Sequence, residues 1–198
     1  MKYLNLSYMK NPFYLSFLLI FSAMIGAAYF REGHKPVVTA ELVNVTTTRL
    51  AGDAPGEADS VEFRVRFKVT AFGGDAFLDG RATRGFADGP AGNGFGWSFS
   101  QESTLGSPSV IWAGPTPSDG LDDRDVATGS PRFRIAEGHT RNFDFRVWVE
   151  TTRGSNGAAG VQVDSIRWAE SPDKTAENLA IFDRETFRTD LIAGLSAR

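Results

Sequence analysis

The chain's 198 residues include few side chains with the reactivity that catalysis or metal binding requires. Only two imidazoles are present. His34 follows an apolar stretch, and His139 sits in the turn sequence Glu137-Gly138-His139-Thr140. A serine hydrolase needs its base held on a rigid element beside the nucleophile, commonly presented by a G-x-S-x-G elbow, and no such elbow occurs here. Cysteine is absent, which excludes a thiolate nucleophile and a zinc–thiolate centre. The acidic run Asp119-Gly-Leu-Asp-Asp-Arg-Asp125 could gather oxygens around calcium. Its carboxylates at Asp119, Asp122, Asp123 and Asp125 do not follow the D-x-[DN]-x-[DN]-G spacing, and Arg124 interrupts them, so the run reads as a solvated loop. Asp75 and Asp79 invite a glycosidase reading, because two carboxylates at a defined separation can share acid and nucleophile roles. In sequence they are turn-flanking aspartates. The expectation is a protein without catalytic residues, metal or cofactor.

The four tryptophans form the more informative set, because a flat indole face can stack on a sugar ring as well as fill a core. Trp97 shares the alternation phase of Phe95 and Phe99 and is expected inside, whereas Trp148 falls between Arg146 and Glu150 on the charged face of its segment. An aromatic on an otherwise polar sheet face marks a contact site, unless a loop or the C-terminal tail covers it. The candidate ligand-binding residues are Trp112, Arg146 and Trp148.

Strands must position these side chains. Val61, Phe63, Val65, Phe67 and Val69 alternate with Glu62, Arg64, Arg66, Lys68 and Thr70, the pattern of a strand with one face on a core and the other in water. Phe143, Phe145, Val147 and Val149 repeat it. In Val161–Trp168 the apolar residues change phase, which a β-bulge near Asp164-Ser165 would repair. Shorter candidates are Val37–Thr47, Ala76–Asp79, Phe95–Phe99, Val110–Trp112 and Arg132–Ala136, giving about eight strands. Between them lie turn-forming stretches at Gly52–Ala58, Gly73–Asp75, Asp88–Gly94, Gly114–Gly120, Glu137–His139 and Gly154–Gly160. No long amphipathic helix separates the strands, so antiparallel pairing is expected. Residues 171–198 form an extension in which Thr175–Phe182 has helical composition and Glu185–Ile192 suits an edge strand or another helical turn.

The N-terminus has its own character. Residues 12–30 carry no charge and follow Lys2 and Lys10, the order of an export signal, with small residues Gly26 and Ala28 placed for cleavage after Ala28. The same run is long enough to anchor the protein as a membrane helix; a buried helix of the domain is the remaining alternative. Residues 1–28 are therefore expected to be a signal peptide or anchor, with the rest secreted, periplasmic or held outside the cytoplasm. The net charge of −3 supplies no basic face for nucleic acid.

The succession Phe67-Lys-Val-Thr-Ala-Phe-Gly-Gly-Asp-Ala-Phe-Leu78, then Phe133-Arg-Ile-Ala-Glu-Gly138, then Phe143-Asp-Phe-Arg-Val147 resembles bacterial extracellular immunoglobulin-like domains. The resemblance spans roughly residues 37–170 and implies an antiparallel immunoglobulin-like β-sandwich that acts in adhesion, spacing or display. The antibody Cys–Trp–Cys hallmark is missing. The expected function is a non-enzymatic exported or envelope-anchored protein contacting a protein partner. A carbohydrate-binding module using exposed tryptophans on a surface glycan is the alternative, and a small extracellular hydrolase the third reading. Membrane contact is expected only through residues 12–30, and no nucleic acid.

Overall fold

The computed structural model describes residues 35–50, 58–85, 94–119, 132–152 and 155–196. Pro36–Arg198 is one compact unit. Its described residues contain no helix and twelve strands: β1 (Val37–Leu50), β2 (Ser60–Phe72), β3 (Ala76–Asp79), β4 (Ala82–Arg84), β5 (Phe95–Phe99), β6 (Ser109–Pro117), β7 (Arg132–Ile135), β8 (Thr140–Glu150), β9 (Asn156–Ala159), β10 (Val161–Ala169), β11 (Asn178–Ile181) and β12 (Ile192–Ser196). The first sheet has the order β1-β2-β8-β6 and is antiparallel throughout. In the second sheet the order is β4-β5-β10-β3-β7, antiparallel except for β4 against β5. β9 and β12 form a separate antiparallel pair.

The alternating segments become the central strands of the first sheet, paired from Ser60↔Glu150 to Thr70↔Thr140. Their inner faces, Val61, Phe63, Val65, Phe67 and Val69 on β2 with Phe143, Phe145, Val147 and Val149 on β8, are at most 2% exposed. Each such side chain contributes about 1.5–3 kcal/mol by leaving water. They meet the second sheet directly: Phe95 lies 6.2 Å from Phe67, 5.8 Å from Phe143 and 6.0 Å from Phe145 between ring centroids. Trp97 is buried in this layer as its phase requires.

Every residue of β10 is buried, and both of its edges are paired. On one side it pairs with β5 and, further along, β3; on the other with β11. The phase change within β10 is a register shift between Val163 and Ser165, which leaves Asp164 as the extra residue. Its buried carboxylate accepts hydrogen bonds from Ser98 Oγ (2.7 Å) and Gln162 Nε2 (2.8 Å) and faces Arg184 Nε at 3.3 Å.

Where the chain departs from expectation, pairing partners explain it. The twelve strands exceed the expected eight. Asn156–Ala159, inside a stretch of turn composition, is strand β9 because β12 pairs with it. Likewise β6 runs through Gly114 and Pro115, since β8 offers a ladder as far as Phe143. The tail contains no helix among its described residues. After β11 it continues along β10, with Phe182 N donating to Asp164 O (2.8 Å), Val163 N to Phe187 O (2.9 Å) and Thr189 N to Val161 O (2.8 Å). The tail also delivers Phe182 and Phe187, stacked 4.4 Å apart and each edge-on to Phe67, into the core. The expected N-terminal apolar helix, signal or anchor and the loop at Gly52–Ala58, except Ala58, lie outside the described residues.

Candidate functional site on the outer face of the four-stranded sheet

Because side chains alternate along a strand, the residues between the buried ones of β2 and β8 form a second, solvent-facing surface. Register arranges this face in rows across the sheet. One row carries Glu62, Trp148 and Trp112; the next Arg64, Arg146 and Gly114; the third Arg66, Asp144 and Thr116. Strands are about 4.8 Å apart and successive rows about 7 Å. The three candidate residues Trp112, Arg146 and Trp148 therefore occupy adjoining positions. A bulge at Ile111 in β6 shifts the register so that Trp112 stands opposite Trp148.

Both indoles are open to solvent, Trp112 at 45% and Trp148 at 44%, and Ile111 beside them at 50%. Trp97 and Trp168, by contrast, are buried, and Trp168 Nε1 donates to Pro36 O at 3.0 Å. Gly114 shapes the platform. A Cβ there would lie 3.1 Å from Trp112 Cζ2, so the indole rests along its own strand over the bare backbone of residue 114.

The adjoining rows are a charge cluster around Asp144. Arg64 Nη2 bonds to Asp144 Oδ2, Arg66 Nε to Oδ1 at 2.7 Å, and Arg146 Nη2 stands 3.8 Å from Oδ2. Burial alone would raise the Asp144 carboxyl's pKa, but hydrogen bonds from Arg66 and Arg64, with their charges, overcome it and hold the group at about 2. The same bond to Asp144 raises the Arg66 pKa. Glu62 stands 3.7 Å from Arg146 Nε. The cluster fixes the long arginine side chains beside the tryptophans, which lowers the entropy lost on meeting a ligand.

The remaining chemical candidates are dispersed. Asp75 pairs with Arg134 and accepts from Glu137 N (3.0 Å), while Asp79, at the other end of β3, is buried against Arg81. Asp119 pairs with Arg141 at 3.0 Å. His139 is exposed, with Nδ1 3.0 Å from Glu137 O. His34, Asp122, Asp123 and Asp125 lie outside the described residues. Among the described residues no His, Asp or Glu cluster could hold a metal ion. An open cavity lined by Asp119, Arg134, Ile135, Ala136, His139, Thr140 and Arg141 sits where β7 turns into β8. Its arginines and Asp119 are already paired, with one another or with Asp75.

Sequence pattern could identify Trp148 as solvent-facing, but the Asp144 cluster escaped it. The signal was present in Arg64, Arg66, Asp144 and Arg146 sharing the outward phase of two strands, and needed only their register to become a site. Compared with known proteins, the chain matches no family model, no curated protein and no solved structure.

Proposed function

We propose that this protein is a non-catalytic binding module of immunoglobulin-like β-sandwich type that takes a carbohydrate chain across the outer face of β2, β8 and β6. The observation that carries the reading is the cross-strand pair Trp112 and Trp148, two uncovered indoles side by side on a sheet face with hydrogen-bonding groups in the next row. A sugar presents a ring face for stacking and a rim of hydroxyls for hydrogen bonds, and this surface supplies both counterparts. Two sheets, antiparallel except for β4 against β5, sharing one aromatic core support the sandwich. The apolar run at 12–30, behind Lys2 and Lys10, supports export, by cleavage after Ala28 or by anchoring.

A glycan array followed by calorimetry tests the reading. Binding that is lost in Trp148→Ala and Trp112→Ala supports it, and an array without hits on a folded protein defeats it. Contact with a protein partner is the second reading, favoured by Ile111, whose apolar side chain enlarges the same patch. Ile111→Ser separates the two, because it leaves both indoles and the arginine row in place. An array without hits, together with a captured protein that Ile111→Ser releases, would select protein contact.

A further inference from the structure

Arg64 and Arg146 are direct cross-strand partners, like charge opposite like charge, an arrangement that costs stability in an antiparallel ladder. Asp144 relieves it only in part. Its two oxygens are taken by Arg64 and Arg66, leaving Arg146 3.8 Å from Asp144 and 3.7 Å from Glu62, beyond hydrogen-bond range of both. Three guanidinium groups thus face two carboxylates. Moreover Arg64 Nε and Arg146 Nε are covered and make no hydrogen bond among the described residues, although buried N–H donors are almost always satisfied. The position across from Arg146 on β6 is Gly114, over which the Trp112 indole rests, so the ring and the guanidinium occupy neighbouring places on the face. A surplus of one positive charge, with Arg146 the most loosely paired of the three guanidiniums, therefore lies in the row next to the tryptophan pair.

We propose that the glycan taken by this face is acidic: a uronate-containing polysaccharide whose carboxylate is held by Arg146 while neighbouring sugar faces stack on Trp148 and Trp112. The inference rests on the carbohydrate reading above. A guanidinium fork matches a planar carboxylate bidentately, the geometry Arg66 already makes with Asp144 through Nε at 2.7 Å and Nη2 at 3.3 Å. The chain's net charge of −3 gives no general attraction to polyanions, so discrimination falls to this local surplus.

The test compares galacturonan, alginate and glucuronate-containing oligosaccharides with the same molecules after reduction of their carboxylates to alcohols, and with dextran sulfate, by calorimetry at low and high salt. At least one native uronate should bind about tenfold or more tightly than its reduced form, with an advantage that shrinks as salt is added. Arg146→Met should erase that advantage without lowering the melting temperature, since it also removes the like-charge pair with Arg64, and Arg146→Lys should keep part of it. Equal binding of native and reduced forms, an advantage that survives Arg146→Met, or dextran sulfate binding as tightly as any uronate each overturns the inference. If reduced or neutral glycans still bind and depend on Trp148, the carbohydrate reading stands without the acidic one. If no glycan binds, both fall.

Discussion

Trp112 and Trp148 face each other across the β6–β8 ladder, and neither is covered by loop or tail among the described residues. Their packing role is accordingly small. Replacing either by alanine is expected to cost no more than about 1 kcal/mol of stability, the scale of a cross-strand pair. Glycan affinity should fall about tenfold in each variant. Denaturant titration and calorimetry on the same preparations check the split between the two effects.

Gly114 positions one indole without touching a ligand. In Gly114→Val the new Cβ would stand 3.1 Å from Cζ2 of Trp112, with two methyl groups beyond it, so the ring must lift off its strand. Affinity should drop several-fold, and the tryptophan emission maximum should shift as the ring's surroundings change. An unchanged spectrum and affinity would mean that the ring does not rest over residue 114.

Acid should loosen the outer face. The Asp144 carboxyl titrates at about 2 in the folded protein against 3.8 when unperturbed, so its contribution is complete above the unfolded value and disappears as pH falls from about 4 towards 2. Allowing for solvent screening around the half-exposed arginines, the amount is about 1–2 kcal/mol. Asp144→Asn should flatten that part of the stability–pH curve without abolishing it. Asp75 is also held low, by the Glu137 amide and then by Arg134.

Two glycines with left-handed backbones should respond differently to alanine. At Gly94 (φ +57°) a Cβ would stand 2.1 Å from Arg81 O and 2.5 Å from Asp79 O, whereas at Gly138 (φ +72°) nothing lies within 4 Å. Gly138→Ala should cost only the backbone strain, about 1 kcal/mol. Gly94→Ala must also displace the chain that bonds Phe95 N to Arg81 O (2.7 Å), and should exceed it clearly in urea denaturation.

Phe187 fills the core from the tail, 6% exposed and stacked on Phe182. Phe187→Ala should remove about 3–5 kcal/mol, as for other buried aromatics. Leu191→Ala, at a residue 45% exposed on the same tail, is the matched control and should be near neutral.

Legibility in the sequence followed the range of the interactions involved. Period-two alternation located β2 and β8 and the facing of Trp97 and Trp148, because one-sided burial is written into neighbouring residues. The bulge at Asp164 was visible for the same reason, as a break in phase. Thr175–Phe182 misled by composition: Asn178–Ile181 is extended because β10 offers an open edge, a partner that local propensity does not register. β9 and β12 are each other's justification and are invisible singly. The proposed binding face was half legible. Its outward residues could be named from phase, but Trp112 meets Trp148 only through the extra residue Ile111, and the arginines converge on Asp144 only once β2 and β8 are in register.

Early and late parts of the compact unit are tied together at Asp59, whose carboxylate accepts from Arg49 Nη2 (2.6 Å) and from Ser196 N (2.9 Å), while Arg49 Nη2 also reaches Gly194 O (2.9 Å). Together with the tail's aromatic contacts to Phe67, this means that early strands find their last partners more than a hundred residues later. Such long-range closure slows folding and postpones it. A nascent chain emerging from the ribosome could not complete its core before residues 178–196 were free. Local hairpins such as β2 with β1 can pair early, but the aromatic core they face is sealed only by the distant tail.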